Sequence, residues 1–216
     1  MERDWDVRAG ELSAEAIGAG EPTAWFDRLY AAGAAGEVSM PWDRDEPQVL
    51  LAEWLERHDV RGDGRRAVVV GCGLGADAEH LAERGFAVTA FDVAATAVRM
   101  ARERHPGSPV DYQVADLLDL PTAWAHAFDL VVEIFTLQAL PDPPRAAAAR
   151  AVSGLVAPGG RLLVIAFRAE GRADSRVGPP YPLGRGTLDA LATDGLRQAE
   201  VEELDDPARW RVRYER

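Results

Sequence analysis

Cysteine is almost missing from this chain, with Cys72 the single one in 216 residues. That excludes an intrachain disulfide and suits a reducing compartment. Basic residues are also in short supply: 24 Lys plus Arg face 36 Asp plus Glu, a formal charge of −12. A chain of that sign repels phosphate backbones and anionic lipid surfaces, so neither nucleic acid nor a membrane is an expected partner. No apolar run is long enough to cross a bilayer. The opening Met1-Glu2-Arg3-Asp4 lacks the basic region and apolar stretch of a secretory signal, so a cytoplasmic location is expected. Repeats at solenoid periods are absent, as are Ser-His-Asp and metal-ligand groupings. The four histidines, His58, His80, His105 and His126, are scattered. The length fits one substantial α/β domain.

What is present centres on Ala67-Val68-Val69-Val70-Gly71-Cys72-Gly73-Leu74-Gly75. Four small or β-branched apolar residues closed by alternating glycines read as a strand buried on both faces that runs into a tight loop. Glycine there lets a ligand approach the main chain, and a helix over 76–84 points its partly positive N-terminus back at the loop. Gly71-x-Gly73-x-x-Ala76 also satisfies the dinucleotide fingerprint, so the loop alone does not separate a nicotinamide nucleotide from another adenosine compound.

Ahead of the loop, residues 1–20 lack clear periodicity and are expected to be loosely held. A short helix from Glu21-Pro22 carries Trp25, Phe26, Leu29 and Tyr30, and Gly33 to Gly36 break it. Pro41-Trp42-Asp43 forms a turn before a helix over 45–58 with Pro47, Leu50, Leu51, Trp54 and Leu55 on its buried face. Behind the loop, strands are expected at 86–91, 110–114, 128–132 and 161–167, with helices at 94–104 and 144–156. Residues 168–186 read as a mobile loop over the site, followed by a short helix at 187–194. Two extended segments, 196–204 and 209–214, meet at Asp205-Asp206-Pro207 in a hairpin. The fold expected is α/β, Rossmann-like and doubly wound. Its sheet has seven mostly parallel strands, a C-terminal antiparallel hairpin and an N-terminal helical cap. Residues 1–60 form the cap and flanking helix, 66–169 the cofactor-binding core, and 170–216 the lid loop, short helix and hairpin.

In such a sheet the ligand lies at the carboxyl ends of the strands, where the strand order reverses. Three expected strands end in an acid: Asp92, Asp116 and Glu133. Asp92 stands one βαβ repeat after the loop, where a carboxylate accepts from both ribose hydroxyls. Asp116 is placed to accept from an exocyclic amine such as that of adenine, and such charge-assisted bonds are the stronger kind. The alternative for each is a helix cap or a solvated loop residue.

Taken in order, Val70-Gly71-Cys72-Gly73-Leu74-Gly75, Phe91-Asp92-Val93, Ala115-Asp116-Leu117, Phe128 to Glu133, and Val156-Ala157-Pro158-Gly159-Gly160 through Leu163 resemble the motifs of class I S-adenosylmethionine-dependent methyltransferases. The resemblance covers about 66–169. It implies S-adenosyl-L-methionine as cofactor and S-adenosyl-L-homocysteine as product. The cofactor would be held by Gly71, Cys72, Gly73, Gly75, Asp92, Val93, Asp116, Leu117 and Glu133. Trp25, Tyr30 and Pro41-Trp42-Asp43 resemble the N-terminal part of the thiopurine methyltransferase and tellurite-resistance group, which implies that Trp25, Tyr30 and Trp42 close over the cofactor. The expected reaction is an in-line displacement of the sulfonium methyl by a small-molecule nucleophile, a thiol or other soft heteroatom first and oxygen or nitrogen second. Trp42 is the candidate for an aromatic face near the sulfonium. A thiol needs no strong base, and His126 is the only histidine considered as one. A nucleotide-binding protein without turnover and an NAD-binding oxidoreductase stay open as alternatives, as do monomer and homodimer.

Overall fold

The computed structural model describes residues 4–169 and 178–216. Seven strands make one sheet: β1 (Arg66–Val70), β2 (Ala87–Asp92), β3 (Asp111–Val114), β4 (Phe128–Ile134), β5 (Val156–Phe167), β6 (Arg197–Asp205) and β7 (Ala208–Glu215). Their spatial order is β3-β2-β1-β4-β5-β7-β6. The first five are parallel, and β7 runs antiparallel to both β5 and β6. The order reverses at β1, which pairs with β2 on one side and β4 on the other, so the crevice for a ligand opens beyond its carboxyl end.

The helices are α1 (Asp4–Gly18), α2 (Trp25–Ala34), α3 (Val49–Arg57), α4 (Ala76–Glu83), α5 (Ala95–Arg104), α6 (Pro144–Leu155) and α7 (Arg185–Ala190). β1 reads as an unbroken apolar run because both of its faces are covered. Ala67 and Val69 pack with Leu51, Trp54, Leu81 and Val98, from α3, α4 and α5. Val68 and Val70 pack with Val152, Leu155 and Leu188, from α6 and α7.

The segment expected to be loosely held is instead α1, apart from residues 1–3, which lie outside the described residues. Ala9, Leu12 and Ala16 form its buried stripe and pack on Trp25 and Leu29 of α2. Two alanines and one leucine are too weak a stripe to stand out in the sequence, and they become a core only against their partner helix. The helix expected from 45 begins at Val49, because the Gln48 side chain caps it by accepting from the Leu50 N–H. α6 stops at Leu155, since Val156 already pairs with Phe128 in the sheet. Of the loop expected over 168–186, residues 170–177 lie outside the described residues. Its described flanks are tied to the sheet end: Leu183 N–H donates to Phe167 at 2.9 Å, and its carbonyl accepts from the Trp210 indole at 2.7 Å.

The C-terminal hairpin is clamped to α3 by Arg211, whose side chain is 2% exposed. Its guanidinium donates to Glu202 at 2.9 and 2.7 Å, to Glu53 at 3.3 Å and to the Leu50 carbonyl at 3.1 Å. A buried guanidinium needs that many partners to offset its lost hydration.

Candidate active site

A cavity of about 500 Å³ opens at the carboxyl ends of β1, β2 and β4, beneath the N-terminal helices. One end is built from the glycine loop. Gly71, Cys72, Gly73 and Gly75 all line it, as do Asp92, Val93, Asp116 and Leu117 from the ends of β2 and β3. Gly73 has φ +53°, and a Cβ there would lie 2.9 Å from the Tyr30 hydroxyl oxygen. Glycine is therefore required twice at this position, by backbone angle and by the cap that approaches it. Asp92, 6% exposed, accepts from the Gly73 N–H at 3.0 Å and the Ala94 N–H at 2.9 Å. Burial pushes its carboxyl up to about 6, against the pull of those N–H bonds. The Val93 N–H adds to these bonds, and the carboxylate keeps part of its acceptor capacity. Asp116 accepts from the Thr23 hydroxyl at 3.2 Å and the Leu118 N–H at 2.8 Å.

The roof of this end is aromatic. Trp25, Tyr30 and Trp42 line the cavity, with Tyr30 and Trp42 edge to face at 6.2 Å and Trp42 against Trp5 at 5.2 Å. Burial, then the charge of Asp92, holds the Tyr30 phenol well above its usual range, so it stays a neutral hydroxyl. The cap is fastened where the ligand end begins: Asp27 accepts from the Thr96 N–H at 2.7 Å, at the start of α5. Asp77 holds the chain before α3 by accepting from the Gln48 N–H at 2.6 Å and from Arg44 at 3.2 Å.

The other end is formed by residues that sequence reasoning missed. Phe135 follows β4 with φ +62°, a left-handed angle costing a bulky residue about 1–3 kcal/mol. Its ring stacks on Phe167 of β5, centroids 5.2 Å apart. The Arg209 guanidinium of β7 lies 3.7 Å from the Phe167 centroid and 5.6 Å from that of Phe135. Gln138, 2% exposed, fixes this end by accepting from the Phe167 N–H through its side chain at 2.6 Å and from the Tyr181 N–H through its carbonyl at 2.6 Å. Thr136 bridges the two ends, donating to the Val70 carbonyl at 3.0 Å. The only available signal was that Phe135 and Phe167 end apolar runs at strand termini. Nothing local in the sequence pairs β5 with β7.

Two expected residues are not brought to the cavity. Glu133 is fully buried, and its side chain turns away to cap the chain after β4, accepting from Thr136 N–H at 2.8 Å and Leu137 N–H at 2.9 Å through one oxygen. The other oxygen has no partner among the described residues, and burial pushes the carboxyl up to about 7. The cap reading therefore replaces the cofactor reading for Glu133. His126 precedes β4 and so sits at the amino edge of a parallel sheet, opposite the site, with Nδ1 3.2 Å from the Val156 carbonyl. That position removes it as a base. Cys72 lines the cavity, but burial raises its thiol well above the usual range, which leaves it a small neutral side chain.

Residues 67–160 match a family described as a methyltransferase domain. The chain is 38% identical over 131 residues to the ubiquinone biosynthesis O-methyltransferase of Xanthomonas axonopodis pv. citri, covering 57% of this chain and 54% of that one. It is 33% identical over 160 residues to the enzyme of the same name from Chromobacterium violaceum, covering 68% of each. The chain thus spans about half to two thirds of the length of these curated relatives. The solved N-methyltransferase NodS of Bradyrhizobium japonicum, in complex with S-adenosylhomocysteine, shares the fold at a TM-score of 0.66 and 23% identity, over 86% of this chain and 96% of that one. With the strand order, the glycine loop and the two-ended cavity, these matches show that the chain belongs to the S-adenosylmethionine-dependent methyltransferase family.

Proposed function

We propose that this protein moves the methyl group of S-adenosylmethionine to a small-molecule nucleophile that arrives ionised or ionises readily. The observation that carries this reading is the division of the cavity. Its glycine-loop end offers N–H groups and carboxylates, and its far end offers Phe135, Phe167, Thr136, Gln138 and Arg209 with no carboxylate or histidine among the described residues.

The residues at the first end suit the cofactor. The close approach permitted at Gly73 and the remaining acceptor capacity of Asp92 fit a ribose diol beside the main chain, and Asp116 fits an exocyclic amine. Trp42 and Tyr30 close over this end, and an aromatic face near a sulfonium adds about 0.5–2 kcal/mol of attraction. When bound, the cofactor supplies a methyl group already activated by a positive sulfur. The chain's own work is then to hold, align and dry the two reactants. Tyr30, neutral and buried, and the apolar far wall exclude water from the path between them.

A thiol is the first choice of nucleophile, because it ionises near neutral pH without a positioned base. The aromatic cap of Trp25, Tyr30 and Trp42 also supports kinship with the thiopurine and tellurite-resistance group. A second reading, an acidic hydroxyl, is favoured by the names of the two curated relatives, both O-methyltransferases. The test is methyl transfer from labelled S-adenosylmethionine to matched aromatic thiols, phenols and anilines. Turnover of the thiol or the acidic phenol, with the aniline inert, supports the reading. Turnover of the aniline alone overturns it.

A further inference from the structure

The charged groups lining the cavity are Arg44, Arg209, Asp77, Asp92 and Asp116. Arg44 is paired with Asp77 at 3.2 Å. Asp92 and Asp116 belong to the glycine-loop end. Arg209 has no carboxylate in ion-pair range among the described residues; its guanidinium donates to the adjacent Ala208 carbonyl at 3.0 Å and otherwise meets only rings. In an acidic chain, a cavity-lining guanidinium without a carboxylate partner among the described residues suits an anion, whereas Arg44 is neutralised by Asp77.

The shape of the site narrows the anion. The guanidinium carbon lies over the Phe167 ring, 3.7 Å from its centroid, and the register of β5 and β7, which sets Phe167 opposite Arg209, holds it there. With Nη1 donating to the Ala208 carbonyl, the remaining N–H groups are left to donate, and a pair of them matches the two oxygens of a single carboxylate. With Arg209 the one cation at this end among the described residues, a monoanion is balanced there and a phosphate dianion is not. Phe135, held at a left-handed backbone angle with its ring stacked on Phe167, adds a flat apolar wall beside the guanidinium. Strain retained at such a position points to a role for that side chain at the site.

We infer that Arg209 is a specificity-determining residue, and that the methyl acceptor is a planar, unsaturated molecule whose carboxylate is held by the Arg209 guanidinium while its ring lies along Phe135. This rests on the methyl-transfer reading above. The carboxylate is a handle, separate from the nucleophile.

The test is calorimetric titration of the protein loaded with S-adenosylhomocysteine, using benzoate and 2-naphthoate beside their primary amides. Wild type is expected to bind at least one carboxylate about tenfold more tightly than its amide. Arg209→Gln is expected to erase that preference while S-adenosylhomocysteine and amide affinities stay unchanged. Arg209→Lys, which keeps the charge but not the fork, should retain a reduced preference and serves if the Gln variant fails to fold. Equal binding of acids and amides by wild type, no binding of either acid, an equal loss of both in Arg209→Gln, or a preference unchanged in either variant overturns the inference. Failure to bind S-adenosylhomocysteine at all overturns the methyl-transfer reading instead, so the two failures are distinct.

Discussion

The two ends of the cavity are made differently. Under its aromatic roof, the glycine-loop end is main chain and carboxylate from the successive βα units that carry β1, β2 and β3, each group at or within about five residues of its strand's end. The far end is side chain and register. Phe135 follows β4, Phe167 ends β5 and Arg209 is the second residue of β7; the rings meet through the parallel β4–β5 pairing, and Arg209 joins them because the antiparallel β7 lies beside β5. Loop and strand-end groups can thus be written locally, whereas the far wall is written through long-range pairing.

The largest effect that would break this comparison is expected at Asp92. Asp92→Ala removes a charged acceptor and frees the Gly73 N–H, and S-adenosylhomocysteine affinity should fall about a thousandfold by calorimetry. Binding of the acceptor-end probes should weaken much less. A comparable loss at both ends would show that the cavity does not divide as described.

Next in size is a pH effect at Glu133, which belongs to neither end. Burial raises this carboxyl to about 7 from its usual 4.5, so the folded state holds its proton more tightly than the unfolded chain does. The resulting stability is fully present below about pH 4.5 and is lost as pH rises through about 7. Against Glu133→Gln, wild type should therefore lose about 3 kcal/mol of relative stability between about pH 4 and pH 8, read from denaturant unfolding. A pH-independent difference would mean that the carboxyl is hydrated or paired.

A smaller effect sharpens the boundary between the ends. Trp42→Ala removes an aromatic wall of the first end and should weaken S-adenosylhomocysteine binding about tenfold, leaving the carboxylate preference assigned to Arg209 in place. The smallest is expected at His126. His126→Gln should change methyl transfer by no more than about twofold at any pH, since the ring lies at the amino edge of the sheet. A larger loss would return His126 to the chemistry.

Much of the fold was legible because parallel βα units repeat a local code: an apolar run, a glycine or acid at its end, then a helix of the right period. That code delimited β1 to β4 within two residues, started β5 five residues late, at 161 instead of Val156, and brought Gly73, Asp92 and Asp116 to one cavity. It misread Glu133, since an acid at a strand end looks the same whether it faces a ligand or caps the next turn, and only the turn back to Thr136 and Leu137 decides. It misplaced His126, because sequence proximity to a strand does not say which edge of the sheet a loop lies on. It overlooked α1, whose alanine stripe has meaning only against Trp25 and Leu29. The sequence by itself determined the family scaffold and the glycine loop with the acids after β2 and β3, since those depend on backbone geometry within a few residues. Tertiary structure alone decided the far end, because the contact of Arg209 with Phe167 depends on how β7 is registered against β5, which local sequence does not encode.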